Sequence, residues 1–129
     1  MNEAVLLYNY QGEKLKAVRT SLLSMKIPVK VVSKKDFFKP VGTMFGLKNI
    51  EPLTDEFASF DGELIVIKDF PQLTLNIFLK KLEQQGIKKM PLMCMLTPEN
   101  SRWSGNRLYK TVNEEHSQNQ QSTNLKINL

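Results

Sequence analysis

Thr97, Asn100 and Arg102, together with Asn9 or Ser33, are the residues whose types and placement suit the holding of an anion. Thr97-Pro98-Glu99-Asn100 follows the apolar run Pro91 to Leu96 and leads through Trp103 into an amphipathic stretch, the order of a strand, a turn and a helix. N–H groups at a helix start lack partners within the helix and favour phosphate or carboxylate. A hydroxyl, an amide and a guanidinium beside them would add donors. Glu99 and Asp69 work against this by bringing negative charge to the same kind of turn. The same residues also have a plainer use, in which Thr97 caps, Asn100 bonds its own turn and Trp103 joins the core.

Other reactive side chains are scattered. His116 is the single histidine and falls at a helix C-terminus, where the dipole favours a cation. Cys94, the single cysteine, lies within an apolar strand and reads as a buried thiol rather than a nucleophile. Glu114 and Glu115 are helix neighbours that point apart, and Asp61 and Asp69 sit in separate turns, so the sequence shows no paired carboxylates. Neither Gly42 nor Gly46 completes a glycine-rich phosphate cradle. No spacing of metal ligands is visible, and no cofactor is expected.

Composition narrows the setting. With 129 residues, the chain has the size of one domain able to bury its own core. One cysteine excludes an internal disulfide framework, which points to the cytoplasm. Met1-Asn2-Glu3-Ala4 lacks a basic leader, and no apolar run approaches the roughly 20 residues needed to span a bilayer, so no membrane partner is expected. The net charge of +5 is unevenly placed: residues 1–50 hold nine Lys and Arg against three acids. Between Lys14 and Lys48 the only acid is Asp36, so a phosphate-bearing partner would feel a local excess. No aromatic residues alternate with these lysines in the way that single-strand binders require.

The elements that would position these residues can be taken in order. Ala4 to Tyr8, Val29 to Val32, Glu63 to Lys68 and Pro91 to Leu96 are short apolar runs, expected as strands covered on both faces. Leu15, Val18, Leu22 and Met25 mark one helix face; Leu75, Phe78, Leu79 and Leu82 mark another. Gly86 is expected as the left-handed residue ending the second helix. Ser104 should cap the last helix, with Trp103 packing on Leu108. Residues 33–62 are the least legible; a short helix begun at Thr54 is one expectation there.

Two segments share one plan, at about residues 4–33 and 63–97, each a strand–helix–strand unit. The expected fold is α/β: a single domain over residues 1–116, with a mostly parallel four-stranded sheet, helices on both faces and a C-terminal helix. In strand order 2-1-3-4 the central pair would be parallel and the two main helices would fall on opposite faces. A ferredoxin-like α+β fold is the alternative. Residues 117–129 read as a polar tail, with a terminal strand through Leu125, Ile127 and Leu129 as a further option. If Lys26 matches Gly86, it too must adopt the left-handed conformation.

Thr97-Pro98-x-Asn100-x-x-Trp103, followed by Leu108 and then Glu114-Glu115-His116, resembles an uncharacterised bacterial family, known mainly from clostridia and related Gram-positive bacteria as a domain of unknown function. The resemblance starts near Glu63 and covers about half the chain. It implies no activity, cofactor or catalytic residue. The leading expectation is therefore a small non-enzymatic binding or regulatory module with a protein or small-molecule partner. Alternatives are a nucleic-acid or phosphometabolite binder using residues 14–48, and an enzyme with a site near Asp69 and Thr97. Exposure of Phe37, Phe38, Met44 and Phe45 together would indicate a homodimer face.

Overall fold

Each short apolar run becomes a strand and each amphipathic stretch a helix. The computed structural model describes residues 2–53 and 56–127, with side chains as far as Ser117. In chain order the elements are β1 (Ala4–Tyr8), α1 (Gly12–Ser24), β2 (Val29–Val32), α2 (Val41–Met44), β3 (Leu64–Lys68), α3 (Gln72–Gln84), β4 (Met93–Met95) and α4 (Gly105–Ile127). Two 3-10 turns, Lys34–Asp36 and Asn100–Arg102, precede α2 and α4. The helix start expected at Thr54 lies outside the described residues, as does Leu129, but the optional terminal strand through Leu125 and Ile127 is not formed, because both lie in α4.

The strands form one mixed sheet in the order β2-β1-β3-β4, as expected. β1 pairs with β2, and β3 with β4, in parallel, so each half is a strand–helix–strand unit. Helices cover both faces, and the fold is α/β. The central pair corrects the sequence reading. β1 and β3 run antiparallel, with Ala4 facing Lys68 and Leu6 facing Val66. Apolar continuity along a strand shows that both faces are covered and says nothing about direction.

That reversal decides where the long helices go. Parallel crossovers are almost always right-handed. Two of them moving outward from a parallel central pair would put their helices on opposite faces. From an antiparallel pair they put both on one. Accordingly α1 and α3 pack side by side over Val5, Leu7, Ile65 and Ile67, contrary to the expected separation. A ferredoxin-like sheet also keeps its helices on one face, but it does not join adjacent parallel strands within each half.

The halves correspond residue by residue. Val5 and Ile65, Leu7 and Ile67, Tyr10 and Phe70, Val18 and Phe78, and Leu22 and Leu82 fill one core, each pair sixty residues apart. The same interval links Asn9 (φ 66°) with Asp69 (φ 59°), and Lys26 (φ 59°) with Gly86 (φ 93°), all left-handed. Lys26 thus adopts the conformation that its match to Gly86 requires. A side chain there costs about 1 kcal/mol. Lys26→Gly is expected to stabilise the protein by about 0.5–1 kcal/mol in denaturant titration. A loss of about 1 kcal/mol or more would show that the two helix exits differ.

The described residues between 33 and 63 cover the other face. Val32 and Leu64 both pair with Tyr8, so this connection starts and finishes at one end of the sheet. On the way it lays Phe37, Val41, Met44 and Phe60 against Leu6, Tyr8, Leu64 and Val66, and α4 adds Leu108. α4 continues to Ile127, past the helix end expected at His116. No Gly or Pro follows Gly105 to interrupt it, and glutamine supports a helix well.

Candidate functional site

The turn after β4 is closed on itself. Thr97 N–H donates to Asn100 Oδ1 at 2.8 Å, and Asn100 N–H donates to Thr97 Oγ1 at 3.1 Å. Asn100 Nδ2 donates to the Met95 carbonyl at 3.1 Å and lies 3.6 Å from Cys94 Sγ. Asn100 is 7% exposed, so these bonds satisfy a buried amide rather than present it to a ligand. Ser101 Oγ donates to the Pro98 carbonyl. Arg102 Nε donates to the Glu51 carbonyl at 2.9 Å, tying the turn to the long connection.

The other proposed members stand elsewhere. Asn9 follows β1, and its Nδ2 donates to the Phe60 and Gly62 carbonyls at 2.8 and 2.9 Å. Ser33 follows β2 and precedes the first 3-10 turn without a side-chain cap bond. Because the central pair is antiparallel, β1 and β2 end where β3 begins, whereas β4 ends at the opposite end of the sheet. About 15 Å of strand separates the two ends. Asn9 and Ser33 therefore do not join Thr97 and Asn100 in a shared crevice. Asp69, at the Thr97 end, is 3.1 Å from Lys68 Nζ.

Two structural expectations are met. Ser104 Oγ accepts from Arg107 N–H at 3.1 Å, the bond of an N-cap. Trp103 packs into the same cluster as Leu108, with the Arg107 guanidinium 4.3 Å above its ring.

Burial raises the Cys94 thiol to about 11, helped by the nearby Glu115 carboxylate. A thiol is attacked through its thiolate, so alkylation of Cys94 at pH 8 should run about a hundredfold slower than that of an unperturbed thiol. The rate should climb about tenfold per pH unit up to pH 10. A rate at pH 8 matching a small-molecule thiol would contradict this environment. Cys94 and His116 line one groove, yet no three His, Cys, Asp or Glu among the described residues come together as a metal-holding group.

The basic segment is partly neutralised in space. Lys14 meets Glu63 at 3.0 Å, Lys39 meets Asp36 at 3.1 Å, and Lys34 pairs with Asp61. Lys34 also holds the Asp61 carboxyl below its usual range. Of the four apolar residues considered for a dimer face, Phe37 and Met44 are buried and Phe38 is exposed, so they form no common patch.

Two grooves, one beside each outer strand, are lined by none of Asn9, Ser33, Thr97, Asn100 and Arg102. In the first, Leu15, Lys16, Arg19, Leu23, Ile27 and Val29 line a volume of about 690 Å³ between α1 and β2. In the second, Leu75, Leu79, Met90, Met93, Met95 and Val112 line about 400 Å³ beside β4. Leu15 and Leu75, and Arg19 and Leu79, occupy matching positions sixty apart. The legible signal was Leu23, an apolar residue directly after the stripe residue Leu22 and now 78% exposed. Its exposure depends on where β2 ends up, which helix periodicity does not report.

Among the described residues no helix is long and apolar enough to cross a membrane. No curated protein and no solved structure matches the chain. Residues 63–118, which span β3, α3, β4, the Thr97–Trp103 turns and the start of α4, match a family described as Domain of unknown function (DUF3783).

Proposed function

We propose that the protein is a non-enzymatic binding module whose working surfaces are the grooves beside its two outer strands. The observation that carries this is an open, largely apolar groove beside each outer strand, the two sharing the matched positions Leu15/Leu75 and Arg19/Leu79, with α4 completing the second. Leu23, Met90 and Met95 leave substantial apolar surface in solvent along them, as docking surfaces do. The unbranched thioethers of Met90, Met93 and Met95 adapt readily to a partner's shape. By contrast, Thr97 and Asn100 satisfy each other. A bacterial, cytoplasmic setting is supported by the Thr97–Trp103 motif and by a single cysteine without a disulfide partner.

A phosphate-bearing ligand on residues 14–48 is the weaker reading, since Lys14, Lys34 and Lys39 already face carboxylates. Salt-sensitive binding of DNA, RNA or nucleotides would reverse that order. The module reading is tested by selecting displayed peptides on the folded protein and mapping their footprints by amide shifts. Footprints on the α1–β2 or α3–β4 groove are expected, and Leu23→Asp or Met95→Asp should abolish the matching set. Footprints centred on Thr97–Arg102 would contradict the reading.

A further inference from the structure

We propose that the open edge of β2 accepts an extended acidic segment of a partner protein, which adds to the sheet as a fifth strand. This rests on the binding-module reading and names the partner's chemistry.

The two outer strands are not equally guarded. At β4 the Asn100 amide takes the Met95 carbonyl, and Val112, Glu115 and His116 of α4 stand beside the strand. At β2 the adjoining groove is lined only by residues within 12–29. The Pro28 carbonyl accepts from Val5 N–H, and Leu6 pairs with Lys30. In a parallel ladder alternate residues turn their main-chain groups to one neighbour, so those of Val29 and Val31 face outward. An unpaired strand edge of this kind is a template for another strand.

Side chains on β2 say which strand. Val29 and Val31 pack toward α1, and Val32 belongs to the opposite face, which puts Lys30 on that opposite face as well. Lys30 is exposed. On the α1 side the groove offers Leu15, Leu23 and Ile27 with Lys16 and Arg19, and no acid lines it. An incoming strand would therefore meet an apolar floor rimmed by cations on one face and a lysine on the other. Alternating apolar and acidic side chains satisfy both. Lys30 also disfavours a second copy of this chain, because edge-to-edge pairing would bring like charges together.

The test uses the full-length protein, isotope-labelled for NMR. It is titrated with seven-residue peptides alternating valine, leucine or phenylalanine with glutamate. Parallel titrations use the same peptides with lysine for glutamate, and with N-methylated main chains. The glutamate series is expected to shift Leu15 and Leu23 and to slow exchange of the Val29 and Val31 amides by at least tenfold. Lys16→Glu with Lys30→Glu should weaken that binding at least tenfold while signals of β3 and α3 stay in place. Equal binding by the lysine or N-methylated peptides would overturn the acidic-strand proposal and leave the module reading standing. If no peptide of any charge perturbs either groove, both are overturned.

Discussion

Leu22→Ala and Phe78→Ala are each expected to cost about 3–5 kcal/mol in denaturant unfolding, and together less than the sum of their separate losses. Both side chains are fully buried, at 0% exposure, in the core between α1, α3 and the sheet. Removing either leaves a cavity that well-packed neighbours fill only partly, hence the size of each loss. Coupling follows from placement. With α1 and α3 on one face, both truncations fall within one core cluster, and an interaction of about 0.5–3 kcal/mol is expected. Helices on opposite faces would make the losses additive within about 0.5 kcal/mol. The double-mutant cycle thus reports the layering of the fold as well as its stability.

Gly105→Ala is expected to destabilise the protein by about 1–3 kcal/mol, although alanine is intrinsically the better helix former. Gly105 opens α4, and a Cβ there would sit 2.5 Å from Tyr8 Cε2 and 3.2 Å from the Phe37 carbonyl. The Tyr8 ring cannot yield easily. It is fully buried and meets Phe37 edge-on at 5.1 Å, while Phe37 and Phe60 stack in turn, as do Phe60 and Tyr109. One added methyl must therefore push on an aromatic stack that joins β1, the long connection and α4. A Gly105→Ala protein as stable as the parent would show that α4 does not seat against Tyr8.

Much of this was legible in residue order. Strand positions, helix faces, the Gly86 exit, its Lys26 counterpart and the Ser104 cap all depend on local spacing and backbone preference, and all are found where expected. Thr97 and Asn100 were legible as a turn whose side chains bond within it. The direction of β3 against β1 was not. Val5-Leu6-Leu7 and Ile65-Val66-Ile67 are apolar on both faces, so either register buries the same surface. What breaks the tie is the 33–63 connection, whose Phe37, Val41 and Phe60 cover the second face while returning to the end they left. That segment has weak periodicity of its own, and its packing is set by tertiary contact. The grooves depend on tertiary contact too: Leu23 stands off the helix stripe, but its exposure and that of Met95 are set only when the outer strands are placed.

The joining of two parallel halves by an antiparallel central pair parts Asn9 and Ser33 from Thr97 and Asn100 and leaves β2 as an open edge. Main-chain NMR contacts between β1 and β3 test it most directly. Cross-strand contacts linking Val5 with Ile67 and Leu7 with Ile65, one number rising as the other falls, are the predicted result. Contacts linking Val5 with Ile65 and Leu7 with Ile67, both numbers rising together, would contradict it.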